Sequence, residues 1–409
     1  MIKRFGFRNY FSFKEGAVIS FNMNKKTPAD YYQVDGISTV IGVKGGNASG
    51  KTNILRMLGF ISGFILRSDS STGKIKIDSH FDNERPSFFF IEFVADNNIE
   101  YTYELTATSE KVVKEKIYKK NIKKTEIICR EGNVVKGYGD ISIVSDLELY
   151  SNASIISTCN KLKSTSTLSD ISAITRFFEK IICNVGYCGT YNSSISFPET
   201  KDVSEKYYHD ENIFSFVKHV LMESDSGISD IVIHKYQSDT GKDTYNAFFV
   251  YKIKNSISVL PLVDQSNGIK KLYRSLYLYF LVLKTGGVLV QDEFDENLHS
   301  KLLPNMISFF ETEKNNPYNA QFIFTAHNTE IMNYLGKYRT VLVNKDNNES
   351  YCYRLDELPG NIIKNGRDIS KLYQMGKIGG IPNISRDNFV GYELKKHNQN
   401  DLFEDENDG

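Results

Sequence analysis

The first 25 residues alternate apolar and polar side chains, with Phe5, Phe7, Tyr10, Phe11, Phe13 and Phe21 as the apolar set, and this period of two predicts a pair of short strands. The run GISTVIGV (36–43) is β-branched and apolar and reads as a buried strand. Directly after it, KTNILRMLGFISGFIL (51–66) switches to helical spacing at Ile54, Leu55, Leu58, Ile61 and Ile65. SFFFIEFVADNNIEYTYELTATSE predicts two strands around an Asp-Asn-Asn turn, and KVVKEKIYKK with KTEIICREGNVVKGY predicts a further pair, so an antiparallel sheet should pack on the core. Residues 150–225 are rich in Ser, Asn and Thr around the helical patterns ISAITRFFEKII and NIFSFVKHVLME. Strand patterns return at ISDIVIHKY and YNAFFVYKI, followed by an apolar helix through LYLYFLVL (276–283) that ends at Gly286 and Gly287.

Composition narrows the class. The 409 residues suit two or three lobes, and 50 basic against 50 acidic side chains leave no global attraction for nucleic acid or an anionic membrane. The basic run KVVKEKIYKKNIKK could track a nucleic-acid backbone, but its interleaving with Val113, Ile117 and Tyr118 favours a half-buried strand with a solvated face. No signal-peptide pattern and no spanning stretch is present, and the sparse cysteines fit a reducing cytosol. Cys183 and Cys188, with no nearby histidine pair, make a poor zinc site. A cytoplasmic protein with no membrane partner is expected, ending in an acidic, disordered tail (386–409).

Between the buried strand and the helix lie Gly45, Gly46, Asn47, Ala48, Ser49, Gly50, Lys51, Thr52 and Asn53, in the spacing G-x-x-x-x-G-K-[ST]. Such a loop lets backbone N–H groups converge on an anion at the positive end of a helix, while the lysine reaches the outer phosphates. Strand, glycine loop and helix in that order argue for a phosphate cradle over an ordinary turn.

GGVLVQDEFDENLH (286–299) adds the carboxylates. Its apolar strand ends at Asp292, placed to hold Mg²⁺ through water together with the Thr52 hydroxyl, and Glu293 follows as the residue able to orient or deprotonate an attacking water. His327 lies just past the buried strand Gln321–Thr325, as a surface residue or as a partner of the γ-phosphate. Upstream, Gln265, Ser266, Asn267 and Gly268 open a helix and make a second helix-start anion site. One chain needs one cradle per nucleotide; a pair of chains uses both.

These residues resemble the ABC-type ATPases of the SMC, RecF and OLD lineage, and within it the stand-alone AAA-type ATP-binding proteins of bacterial phage-defence systems. The matching stretches are GGNASGKTN (Walker A), DQSNGIKKL (signature), VLVQDE (Walker B), FDENLH (D-loop) and FTAHN (H-loop). Asn267 stands where transporters carry glycine, Ser300 where proline is common, and no glutamine answers to the Q-loop.

The resemblance implies an α/β fold: an ABC-type P-loop NTPase head with a mixed core sheet, an antiparallel β subdomain and a helical insertion. The head would comprise residues 1–149 and 226–385, with 150–225 inserted. It implies ATP and Mg²⁺ as ligands, and a head-to-tail dimer, or a higher oligomer built from it, with ATP between Walker A of one head and the signature of the other. Lys51 and Thr52 would hold phosphates and metal, Asp292 the metal, Glu293 the water and His327 the γ-phosphate. Ser266, Asn267 and Gly268 would reach the partner's ATP, and Asp295 would lock the dimer.

The interval from P-loop to signature lacks the sustained heptads of long SMC arms. The roughly 80 residues after His327 are short for an added nuclease domain and hold no D-x-D. The expectation is therefore an ATP-driven sensor that controls a separately encoded effector, a nuclease by resemblance, in anti-phage defence. The alternative is a RecF- or SMC-like ATPase of DNA maintenance that binds nucleic acid directly.

Overall fold

Five parallel strands and one antiparallel edge strand form the central sheet of the computed structural model, which describes residues 1–68, 73–162, 164, 168–185, 200–237, 241–254, 256–359, 362–363 and 366–381. Across the sheet the order is Ile181–Cys183, Val288–Gln291, Gln321–Thr325, Val40–Gly45, Thr340–Asp346 and Glu349–Arg354, with only the last strand antiparallel to its neighbour. The three central strands are buried throughout, which is why they read as apolar runs without alternation. Parallel strands bring their carboxyl ends to one edge of the sheet, where α/β folds bind ligands. Gly45, Gln291, Thr325 and Cys183 all end there.

A seven-stranded antiparallel sheet packs beside this core. The opening strands Ile2–Arg8 and Ala17–Ser20 pair with one another, and Ile2–Arg8 also pairs with Ser87–Val94. The sheet then continues through Glu100–Ala107, Val112–Lys120, Lys124–Glu131 and Val134–Gly137. Gln321 joins the two sheets: its side chain accepts from Ile2 N–H at 2.5 Å and donates to the carbonyls of Ile2 at 2.9 Å and Ser38 at 3.0 Å. The helix Lys51–Arg67 contributes Ile54, Leu55, Leu58, Ile61 and Ile65 to the shared apolar core.

The basic run forms the strand Val112–Lys120 and the turn after it. Its inward residues are Val112, Glu115 and Ile117, while Val113 is exposed. The reason is a bulge: Ala107 pairs with Val112 and Thr106 with Lys114, so Val113 is the extra residue. Five of the seven lysines in the run pair with carboxylates: Lys114 with Glu131, Lys116 with Glu126, Lys119 with Asp170, Lys120 with Glu100 and Lys124 with Glu104.

The described residues of the stretch 150–225 pack on the two cores. Its helices Ile155–Lys161 and Ser169–Glu179 pack on the helix Lys51–Arg67, and its strand Ile181–Cys183 is an edge strand of the core sheet. A fully buried pair fastens it: Arg130 lies 3.5 Å from Glu115, directly across the strand ladder. Glu115 accepts from Tyr103 and from Ile155 N–H, while Arg130 donates to the carbonyls of Tyr150 and Ala153. The helices Thr200–His209 and Glu211–Ser224 join a second core with the three-stranded sheet Ile228–Gln237, Asp243–Ile253 and Ser256–Pro261 and the helix Asn267–Thr285.

Cys188 and the acidic tail 386–409 lie outside the described residues. Among the described residues, no helix is long and apolar enough to cross a membrane; LYLYFLVL is the buried half of the amphipathic helix Asn267–Thr285.

Candidate functional site: a P-loop facing an Asp-Glu-His cluster

The strand Val40–Gly45 runs straight into the loop Gly46–Gly50, which turns into the helix Lys51–Arg67. Two sharp turns make this possible. Ala48 has φ 57° and Gly50 φ 108°, and a Cβ on Gly50 would meet Phe13, Ser12 and Ser350 within 2.9 Å. Gly45 is confined as well, since a Cβ there would lie 2.4 Å from the Val343 carbonyl. The Lys51 ammonium folds back over the loop, donating to the carbonyls of Gly45 (3.0 Å) and Gly46 (2.8 Å). Burial lowers its pKa, and the charges of Asp292, Glu293 and Asp295 act in the opposite direction. The Ser49 hydroxyl is buried inside the loop and has no hydrogen-bond partner among the described residues, as expected of a cradle shaped for a polar ligand. Asn53 donates to Ser12, tying the first turn of the helix to the N-terminal sheet.

Asp292 reaches this loop from the next strand but one. The Thr52 hydroxyl donates to Asp292 Oδ2 at 2.8 Å, and the Thr325 hydroxyl donates to Oδ1. The same Thr325 oxygen accepts from Glu293 N–H at 2.9 Å, and the Thr325 carbonyl accepts from Phe294 N–H at 2.9 Å. Glu293 is held at φ 50°, a left-handed conformation that a non-glycine residue adopts only when its surroundings impose it. Phe294 supplies part of that constraint, buried against the rings of Phe322 and Phe324. The Glu293 carboxylate then faces His327, Oε1 to Nε2 at 3.6 Å, with both side chains reaching solvent.

Asp295 turns back onto its own chain. Its carboxylate accepts from His327 N–H at 2.9 and 3.0 Å and from Asn328 N–H at 2.5 Å, fixing the backbone on which the histidine sits. Ser266 caps the helix Asn267–Thr285, accepting from Ile269 N–H at 3.3 Å. Gly268 leans on the loop after Glu293: a Cβ there would lie 2.6 Å from the Asn297 carbonyl. Lys271, one turn on, donates to the carbonyls of Glu293 (3.0 Å) and Glu296 (2.8 Å). The structure thus gathers Lys51, Thr52, Asp292, Glu293, Asp295 and His327 in one cluster. Ser266, Asn267 and Gly268 sit on a neighbouring helix start, joined to that cluster through the 293–297 loop.

Three further residues support the site without a role assigned from the sequence. Thr325 bridges both acidic positions. Asn184, just past the edge strand Ile181–Cys183, accepts from Asp292 N–H at 2.7 Å and donates to the Asp292 carbonyl at 3.2 Å. Lys44 lies under the His327 peptide. The available signal was a polar residue at the end of an apolar run, IICN and FIFT.

The oxygen set at Thr52 and Asp292 is of the hard-donor type that suits Mg²⁺, and the loop amides with the Lys51 ammonium suit a polyphosphate.

A family model matches residues 40–137 and 194–333, more than half of the chain; the family is described as "AAA domain, putative AbiEii toxin, Type IV TA system". The chain belongs to this AAA family. The matched residues contain the P-loop, the Asp292-Glu293 pair, the Ser266–Gly268 turn and His327. Among solved structures, this AAA protein is similar to the SMC head domain from Thermotoga maritima (14% identity, TM-score 0.43, 86% of this chain and 98% of that one). It is also similar to the Smc head domain with a coiled coil and joint from Pyrococcus yayanosii (11%, TM-score 0.44, 92% and 99%). A third similar structure is the recombination mediator protein RecF-ATPrS of the RecFOR pathway (12%, TM-score 0.32, 80% and 92%). A search of curated protein sequences finds no match.

Proposed function

We propose that this ATPase is a nucleotide-gated regulatory subunit of an anti-phage defence system, acting as a head-to-tail pair that controls a separately encoded effector, a nuclease. The observation that carries the enzymatic half is the convergence of Thr52, Asp292, Glu293 and His327 beside the P-loop. The regulatory half draws on the family's description through a toxin of a type IV toxin–antitoxin system. It also draws on the position of Ser266–Gly268 at a helix start where Ser266 and Asn267 are exposed.

In this reading the loop amides 46–52 bind the phosphates of ATP, and the Lys51 ammonium leaves the Gly45 and Gly46 carbonyls for the outer phosphates. Thr52 and Asp292 would hold Mg²⁺, which when bound offsets phosphate charge. Glu293 orients a water and takes its proton as the water oxygen bonds to the γ-phosphorus and the bond to the β-phosphate oxygen breaks, releasing ADP and phosphate. His327 donates to a γ-phosphate oxygen and, 3.6 Å from Glu293, keeps that carboxylate aimed. Ser266 and the amides after it grip the ATP of a second copy, so that binding closes the pair and hydrolysis reopens it.

The competing role in DNA maintenance asks for a basic track. The most basic run of the chain spends five lysines on intramolecular carboxylates, which favours the effector reading.

Glu293→Gln tests the core of the proposal. It should bind ATP, release phosphate at a small fraction of the wild-type rate and accumulate as an ATP-dependent dimer by mass measurement. A variant that hydrolyses normally overturns the assignment. Metal-dependent DNA cleavage by the purified chain, abolished by mutating its own residues, overturns the separate effector.

A further inference from the structure

A second lysine lies beneath the P-loop. Lys44 is the residue before Gly45 on a strand buried on both faces and is itself only 5% exposed. Its ammonium donates to the carbonyl of Ala326 at 3.1 Å and to that of His327, and it faces the Tyr373 ring at 5.6 Å. Asp295 grips the same peptides from the other side through the N–H groups of His327 and Asn328. The backbone carrying His327 is therefore clamped between a cation on the P-loop strand and an anion on the loop after Glu293.

A buried ammonium is costly, and here burial lowers its pKa to about 8, against the pull of Asp295. A methionine would fill a similar volume without that cost. What the charge adds is a fixed position for two carbonyls. Tyr373, whose hydroxyl is anchored on the Gly380 carbonyl at 2.8 Å, places the C-terminal stretch against this ammonium.

We propose that Lys44 is a positioning residue for hydrolysis: through the His327 peptide it holds the imidazole in register with Glu293, and it takes no part in binding ATP. This rests on the role of His327 proposed above.

The test is a double-mutant cycle on the full-length chain, with ATP affinity and single-turnover hydrolysis measured for wild type, Lys44→Met, His327→Ala and the double variant. Lys44→Met should slow hydrolysis roughly tenfold or more with ATP affinity unchanged within about twofold, and should add nothing once His327 is alanine. Normal hydrolysis in Lys44→Met overturns the proposal, as does lost affinity with retained hydrolysis, or losses that multiply in the double variant. His327→Ala hydrolysing at the wild-type rate instead overturns the reading of the site itself. Should Lys44→Met be recovered unfolded, Lys44→Gln, which keeps a donor without the charge, must show the same pattern.

Discussion

The Thr52 hydroxyl and Asp292 Oδ2 lie 2.8 Å apart although 240 positions separate them in the chain, brought together at one end of a parallel sheet whose strand Gln321–Thr325 runs between theirs. That hydrogen bond sets the geometry at the mouth of the P-loop. Thr52→Val keeps the shape and removes the oxygen, so phosphate release should fall by about two orders of magnitude, with a smaller loss in ATP binding. Measuring both with and without excess Mg²⁺ checks the outcome; a wild-type rate would remove Thr52 from the metal set.

Thr325 deserves the same scrutiny, because one hydroxyl serves two acidic positions. Thr325→Val leaves Glu293 N–H unpaired and frees Asp292 from its second partner, in a buried place. Stability should drop by about 1–3 kcal/mol in a urea titration, and turnover should drop further than ATP affinity.

Gly268 reports on the link between the helix start and the catalytic loop. Its α-carbon has no room for a methyl group, because the Asn297 carbonyl would lie 2.6 Å from it. Gly268→Ala should therefore displace the 293–297 loop and slow hydrolysis roughly tenfold while the P-loop binds ATP as before, checked by equilibrium binding beside single-turnover kinetics.

Lys44 also makes a pH prediction. Its folded pKa of about 8 lies below the ordinary lysine value, so between about 8 and 10.5 the unfolded chain holds more protons than the folded one. Its contribution to stability accordingly rises with pH across that window, by on the order of 3 kcal/mol at most. The difference in unfolding free energy between wild type and Lys44→Met, followed from pH 7.5 to 10, should carry this slope; a flat difference would contradict it.

Much of this arrangement was legible in the chain because a glycine loop between strand and helix and a carboxylate pair at a strand end each have fixed local spacings. Gly45 to Thr52, the pair at 292–293 and His327 are all in or beside the motif-bearing turns where the structure puts them. Thr325, Asn184 and Lys44 were not legible as site residues, because each acts on a partner 33 to 283 positions away and no local pattern records such a pairing. Ile181–Cys183 was hidden for another reason: ISAITRFFEKII reads as one helix, while the chain leaves the helix at Glu179 and gives its last residues to the sheet. The strands Thr340–Asp346 and Glu349–Arg354 did carry a signal, an Asn347-Asn348 turn with φ 46° and 64° between β-branched and aromatic runs. The buried pair Glu115–Arg130 defies composition altogether, since nothing in a lysine-rich surface strand marks one carboxylate as internal.

The Gln321 amide has a mechanical consequence. It belongs to the first residue of the strand that ends at Thr325, two positions before His327, and it is stitched to the first residues of the antiparallel layer. The outer layer is therefore hydrogen-bonded to the beginning of the strand that leads to the histidine, with five residues between that anchor and His327.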